Sequence, residues 1–217
     1  MSVADLNADG WDDLFITSSM NYPWRYHYNS LMLNNQGETF LDAEFILGIE
    51  PRREGWTMTP LFSLECSGAD SKHALCAGKT GTNGALGALG SRSSVAFDFD
   101  RDGDLDMVVN ELYSQPQVFV SDLAASRKIH FLQVSLVGKK SNRNGIGAKV
   151  SVVSGSKRQV KLHDGSSGYL SHSLLPLYFG LGDSESVERV EVRWPDGSTQ
   201  VVSSAIPVNG TLVVSQP

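Results

Sequence analysis

The sequence has few cysteines, no long apolar run and no strongly basic stretch. It contains 217 residues with two cysteines, and 24 acidic residues outnumber 18 lysines and arginines, for a formal net charge of −6. Without a basic run or basic helix to neutralise phosphates, we expect no nucleic-acid partner. No apolar stretch approaches the ~20 residues that cross a bilayer, so we also expect no transmembrane segment.

The start of the chain is not expected to be a signal peptide. The residues after Met1 form neither a basic n-region nor an apolar h-region, so they do not have the pattern of a signal peptide. Residues 2–13 instead have the pattern of the middle of a structural repeat. We therefore expect a truncated or processed chain.

Long helical periodicity is absent, and short apolar runs recur between clusters of Gly, Asn, Asp and Ser. Such a pattern predicts an all-β protein. In the clearest run, Val190, Val192 and Trp194 alternate with polar residues, as a half-buried strand requires. Other runs cover residues 13–18, 30–34, 107–111, 117–121, 130–137, 148–154 and 159–163, and a Pro-Asp-Gly turn at 195–197 predicts a hairpin leading into 199–202.

The character of the sequence changes near Ser126, and we place a domain boundary there, between residues 1–125 and 126–217. Within the first part, residues 54–94 are rich in Gly, Ser and Ala and are interpreted as a long surface insertion. This insertion contains Cys66 and Cys76. The two are either a disulfide closing a small loop or two free thiols; surface cysteines that pair would indicate an oxidising compartment.

Two short acidic segments share one spacing of oxygen-bearing side chains. The first has Asp5, Asn7, Asp9, Gly10, Trp11 and Asp13. The second has Asp98, Asp100, Asp102, Gly103, Asp104 and Asp106. Side chains at the first, third and fifth positions converge if the backbone curls, and the glycine at the sixth position permits that sharp turn. The seventh position, Trp11 or Asp104, then offers its carbonyl, and the ninth closes the shell.

Oxygen-only cages of this kind favour a hard cation over zinc or copper, and a flexible loop suits calcium better than magnesium. We therefore predict two calcium sites. Without an ion, several carboxylates held so close together would repel one another. The alternative is a solvated acidic turn. An EF-hand is excluded because it needs a glutamate at the twelfth position, where this chain has Ile16 and Val109.

The acidic loop followed at once by an apolar strand resembles the FG-GAP/VCBS repeat of integrin-α-type β-propellers. Residues 29–49, NSLMLNNQGETFLDAEFILGI, are similar to the part of those repeats between the loops, and the resemblance covers residues 1–50 and 91–121. It implies a partial β-propeller with calcium loops between strands. Two loops are too few to close a ring, so either blades are missing upstream or another chain completes the propeller.

Four motifs in the second half occur in order and resemble the ASPIC/UnbV domain. They are SNRNGIGAKV at 141–150, DGSSGYLSHS at 164–173, YFGLGD at 178–183 and WPDG at 194–197. The resemblance covers about residues 130–214 and implies a compact sandwich-like or barrel-like β domain. In secreted proteins such a domain commonly follows FG-GAP repeats.

These observations predict a non-enzymatic, calcium-binding recognition or adhesion module, secreted or in an oxidising lumen, that binds a protein or a glycan. A surface for such a partner is offered by an aromatic cluster beside an arginine: Tyr22, Trp24, Arg25, Tyr26 and Tyr28. One alternative is a structural subunit that docks onto a larger, possibly membrane-bound, complex through open sheet edges. The other is a hydrolase or biosynthetic accessory enzyme centred on His163 and His172 and the serines near them.

Overall fold

The computed structural model of the protein describes residues 1–18 and 26–217, and most of its regular structure is β-strand. The predicted all-β class is confirmed. The strands make five sheets, and none of them closes into a barrel within the described ranges. The helical pieces are the α-helix α1 (Leu123–Ser126) and two 3-10 turns, Arg53–Gly55 and Ala74–Cys76. No helix in the described part of the chain is long and apolar enough to cross a membrane.

The first sheet is an antiparallel meander of four strands in chain order. Its strands are β1 (Ser2–Ala4), β2 (Asp13–Ile16), β3 (Ser30–Asn35) and β4 (Thr39–Asp42). The first acidic loop (residues 5–13) connects β1 to β2. β4 lies at the edge of the sheet and all of its residues are exposed.

The next two strands pair only with each other. β5 (Met58–Glu65) and β6 (Thr82–Ala88) form an antiparallel hairpin. The predicted insertion at 54–94 is therefore not irregular: it contains this hairpin, and its last residues already belong to the following strand. Gly-rich β6 has no clear alternation of apolar and polar residues, which is why the pattern did not predict a strand there.

The third sheet repeats the first arrangement with three strands. These are β7 (Gly90–Phe97), β8 (Asp106–Leu112) and β9 (Gln117–Phe119), again in an antiparallel meander. The second acidic loop (residues 98–106) connects β7 to β8, as the first connects β1 to β2. Phe15 and Leu31 of the first sheet pack against Met107 and Val109 of this one in a shared apolar core.

Residues from 131 onward form two sheets that face each other across one core. The first contains β13 (Leu177–Gly180), β10 (Phe131–Val137) and β16 (Gly210–Ser215); the second contains β12 (Lys157–His163), β11 (Ala148–Ser154), β14 (Arg189–Arg193) and β15 (Thr199–Val202). Their core includes Leu132, Val150, Phe179 and Trp194. This arrangement is consistent with the predicted β-sandwich. The predicted inward face of Val190, Val192 and Trp194 is confirmed, since each is at most 2% exposed.

Candidate metal centre

The two acidic loops adopt the same backbone conformation. The fourth position has a left-handed φ in both, 56° at Ala8 and 67° at Arg101. The sixth position is a glycine with φ of 90° at Gly10 and 104° at Gly103, values that side chains disfavour. The shared spacing in the sequence therefore corresponds to a shared three-dimensional turn.

Hydrogen bonds within the first loop draw its side chains toward the backbone. Both carboxylate oxygens of Asp5 accept backbone N–H groups, from Asp9 at 3.0 Å and from Gly10 at 2.8 Å. Asn7 Oδ1 accepts the N–H of Asp9 at 3.1 Å, and Asp9 Oδ1 accepts that of Trp11 at 2.9 Å. The backbone therefore curls around the first, third and fifth side chains.

The second loop repeats three of these four bonds. Asp98 accepts a backbone hydrogen bond from Gly103, as Asp5 does from Gly10. Asp100 Oδ1 accepts the N–H of Asp102 at 3.4 Å, and Asp102 Oδ1 accepts that of Asp104 at 3.1 Å. Both loops are therefore built on one template, with an aspartate in the second loop where the first has an asparagine at the third position.

The ninth position ties each loop to a segment further along the chain, which the spacing alone did not indicate. Asp13 accepts the N–H of Leu6 at 2.9 Å and that of Asn34, on β3, at 2.7 Å. Its counterpart in the second loop, Asp106, accepts N–H groups from Phe99 at 2.7 Å and Ser121 at 2.9 Å. A carboxylate has about four lone-pair positions. These hydrogen bonds therefore leave room for a further partner.

In the second loop, carboxylate oxygens converge on a point. One oxygen from each of Asp98, Asp100 and Asp106 lies within 4.8 Å of the others. Two buried oxygens of the loop, Asp98 Oδ1 and Asp104 Oδ1, have no hydrogen-bond partner. A buried acceptor without a donor is costly unless a water molecule or a cation becomes its partner. The donor set is all oxygen, which suits a hard cation such as calcium.

Burial disfavours the ionised form of several carboxyl groups in the two loops. It raises the pKa of Asp5 from 3.8 to about 7, although the hydrogen bond from Gly10 acts in the other direction. It likewise raises the pKa of Asp13 to about 6, and it raises the pKa values of Asp98 and Asp104. A cation beside these carboxylates would favour their ionised forms and offset the effect of burial.

Of the predicted aromatic cluster, Tyr22, Trp24 and Arg25 lie outside the described residues. The Tyr26 hydroxyl donates to both carboxylate oxygens of Glu50, at 3.0 and 2.8 Å, and accepts from Arg52 Nε at 2.8 Å. It belongs to an internal polar network. Tyr28 is exposed and packs edge-to-face against Phe45, with ring centroids 5.4 Å apart.

The remaining predicted residues are not part of either acidic loop. Cys66 and Cys76 are joined by a disulfide next to the β5–β6 hairpin. His163 is buried, its ring hydrogen-bonds to the backbone of Asn144, and burial lowers its pKa. His172 is exposed.

Residues of the sandwich that reach the acidic loops were not predicted. The Tyr178 hydroxyl donates to the carbonyl of Gly103 at 3.0 Å, and Lys157 Nζ donates to the carbonyl of Asp9 at 2.8 Å. The motif at 178–183 contains Tyr178, but its partner lies far away in the sequence. No local pattern could have indicated that contact.

The comparison with protein families concerns the sandwich. Residues 138–217 match the protein family described as ASPIC and UnbV. The second half of this chain therefore contains an ASPIC/UnbV domain, and that part of the predicted resemblance is confirmed. The matched range includes β11 to β16, while β10, which completes the sandwich, precedes it.

Two curated relatives carry the same name. The chain is 34% identical to Cartilage acidic protein 1 of Xenopus tropicalis over 125 residues, which is 55% of this chain and 19% of that protein. It is also 34% identical to Cartilage acidic protein 1 of Mus musculus over 130 residues, 57% of this chain and 19% of that protein. The match thus spans about a fifth of the length of either relative.

Proposed function

We propose that this chain is a non-catalytic calcium-binding recognition module of a secreted or lumenal protein. Each acidic loop holds one calcium ion, and the ions stiffen the turns that connect β1 to β2 and β7 to β8. A protein or glycan partner binds to surface loops held in place by these turns, and not to the metal itself. The Cys66–Cys76 disulfide supports an oxidising compartment.

One observation carries the metal proposal: the second loop brings three carboxylate oxygens within 4.8 Å of one another and leaves the buried Asp98 Oδ1 without a partner. Like charges this close repel unless a cation lies between them. Calcium fits better than magnesium because the loop mixes carboxylates and carbonyls without strict octahedral geometry. Thiolate and imidazole ligands, which zinc prefers, are missing from both loops.

Strand order supports a propeller origin for the first half. The first sheet is a four-stranded antiparallel meander, the form of a propeller blade, and the sheet of β7 to β9 has the same order with one strand fewer. Each acidic loop lies between the first two strands of its sheet. We interpret the pair as FG-GAP/VCBS blades of an incomplete propeller.

Calcium titration by isothermal calorimetry tests the metal proposal. The wild-type protein is expected to bind two calcium ions, and Asp98→Asn, in the converging cluster of the second loop, should weaken binding of one of them at least about tenfold because ligand charge sets calcium affinity. Asp183→Asn, outside both loops, is the matched control and should leave both sites unchanged. Absence of any binding at millimolar calcium would overturn the proposal.

A glycan array probed with the protein, in calcium and then in chelator, tests the recognition role. Binding to a glycan that is lost in chelator would support ordered surface loops as the binding surface. The same experiment with immobilised extracellular proteins covers the other class of partner. Failure to bind in either format would count against recognition while leaving the calcium sites unaffected.

A second candidate is a structural subunit of a larger assembly. It is favoured by large apolar side chains that stay exposed at and just after the edge strand β4, namely Phe40, Leu41, Phe45, Ile46 and Leu47. Exposed apolar groups beside an open edge are typical of a surface that another chain covers. Size-exclusion chromatography with light scattering discriminates the two, since a stable monomer with no tendency to associate would count against a docking subunit.

A further inference from the structure

One strand of the sandwich contacts both acidic loops. On β13, the buried Tyr178 hydroxyl donates to the carbonyl of Gly103, at the sixth position of the second loop, over 3.0 Å. Two residues along, Gly180 lies against the first loop so closely that a Cβ there would come within 2.1 Å of Asp5 Oδ2. β13 therefore lies between the two turns and depends on the shape of each.

Further contacts join the sandwich to the first loop. The N–H of Gly182 donates to the carbonyl of Ala8 at 3.0 Å, and Lys157 Nζ donates to the carbonyl of Asp9 at 2.8 Å. Lys161 forms an ion pair with Asp12 at 2.5 Å. Two of these bonds end on loop carbonyls. They form only when the loop is curled as it is here.

The second loop meets the sandwich through close packing. A Cβ at Gly103 would lie 2.4 Å from the ring of Phe131, and that ring stacks on Tyr178 with centroids 5.5 Å apart. Ala8 and Leu105, one from each acidic loop, are buried in the same apolar cluster as these rings. Any opening of either loop would separate groups that are now in contact.

The ASPIC/UnbV motif at 164–173 contacts the strands that lead into both loops. Ser2 Oγ, on β1, donates to the carbonyl of Ser167 at 2.8 Å and to that of Ser94, on β7, at 2.9 Å. Gly168 approaches the backbone of Met1 so closely that a Cβ would lie 2.4 Å from its carbonyl oxygen. This motif therefore extends the same interface.

We propose that cation binding at the acidic loops controls docking of the sandwich onto the first half of the chain. The strand that couples the two halves is β13, because it contacts both loops. This inference rests on the proposed calcium binding. With ions bound, the curled loops present the Gly103, Ala8 and Asp9 carbonyls to the sandwich. Without ions, repulsion between the carboxylates opens the turns and weakens the interface.

Linkage makes the coupling testable from either side. If calcium favours docking by a given factor, docking must favour calcium binding by the same factor. Tyr178→Phe keeps the stacked ring and removes one hydrogen bond without changing any charge near the loops. Because the Gly103 carbonyl is then left buried without its donor, we expect calcium affinity to fall roughly five- to tenfold at one of the sites.

The experiment combines calcium titration with hydrogen exchange on the whole chain. Tyr28→Phe is the matched control, since it removes the same hydroxyl from a side chain that is 50% exposed and lies outside both loops and the sandwich, and it should bind calcium as the wild type does. In the wild type, chelation should speed exchange of the Gly182 amide, which donates across the interface, while amides of β11 within the sandwich stay protected.

The outcomes separate the two proposals. If wild-type protein binds no calcium, the proposed function fails. If it binds two ions but Tyr178→Phe binds them with unchanged affinity, and chelation leaves the Gly182 amide protected, calcium binding stands and the coupling is wrong. A folded Tyr178→Phe protein is verified by unaltered protection of β11.

Discussion

The carboxyl groups of Asp5 and Asp13 are buried at 1% and 0% exposure, yet each accepts two backbone N–H groups. Burial opposes ionisation and the hydrogen bonds favour it, and burial is the larger effect: the pKa values rise to about 7 and about 6. A cation beside these side chains would favour their ionised forms and lower both pKa values.

When calcium is removed, the free energy of unfolding should decrease as pH rises. Because the folded pKa of Asp5 exceeds its ordinary 3.8, the folded protein keeps a proton that the unfolded chain loses, and stability falls as pH rises from about 4 to about 7. Urea unfolding in chelator measures this, and Asp5→Asn should remove up to about 4 kcal/mol of the pH dependence. An identical pH profile for wild type and Asp5→Asn would contradict the expectation.

For individual residues, the sequence predicted that the two loops curl alike, but it did not predict which backbone groups each carboxylate binds. Glycine at the sixth position and oxygen side chains at alternating positions are local signals, and both loops do curl alike. The hydrogen bonds that Asp13 accepts from Asn34 on β3, and Asp106 from Ser121 after β9, depend on how distant parts of the chain pair. Spacing carries no information about them.

Between the elements of the first half lies a buried ionic network. Arg52, which follows β4, forms an ion pair with Glu111 of β8, and its Nη2 donates to Ser91 Oγ of β7 at 3.1 Å. Both charged side chains are at most 4% exposed. The network therefore links the first sheet to the third.

Arg52→Met should destabilise the protein by about 3–5 kcal/mol, because it leaves the Glu111 carboxylate buried without its partner. The double variant Arg52→Met with Glu111→Leu should recover much of that loss. Chemical unfolding in calcium measures both. Lys128→Met, which breaks an ion pair whose side chains are 70% and 73% exposed, is the control and should have no measurable effect.

Of all the elements, the hairpin of β5 and β6 should be the one most stabilised by the disulfide. Replacing Cys66 and Cys76 by serine removes a cross-link over a short loop, for which about 2–3 kcal/mol is expected. Because the two strands pair only with each other, faster hydrogen exchange should be confined to them. Faster exchange in β11 as well would show that the hairpin supports the sandwich.

At the element scale, strands with strong alternation were predicted and weakly patterned ones were not. Val190, Val192 and Trp194 sit inward on β14 and just beyond it, as their spacing indicated, because one face of that strand is covered and the other is solvated. β6 contains two glycines and no alternation, so its strand conformation follows from pairing with β5. Such pairing is not encoded in a local pattern.

Across the whole molecule, calcium should stabilise the half that contains the acidic loops more than it stabilises the sandwich. In chelator we expect two unfolding transitions, because the core between the first and third sheets is separate from the core of the sandwich. Calcium at 100 times its dissociation constant should add about 2.7 kcal/mol per site and move the first transition toward the second. Differential scanning calorimetry measures this; a single transition that calcium does not shift would contradict it.

The β5–β6 hairpin also makes the molecule convenient to modify. In the sequence it lies between the first sheet and β7. A Cβ atom added at Gly78 or Gly81 would have no other atom within 4 Å. An affinity tag or fluorescent label grafted at residues 78–81, between Cys76 and β6, would be carried outside both acidic turns. The protein could then be anchored to a sensor chip by this handle while its ion sites and its sandwich keep their native sequence.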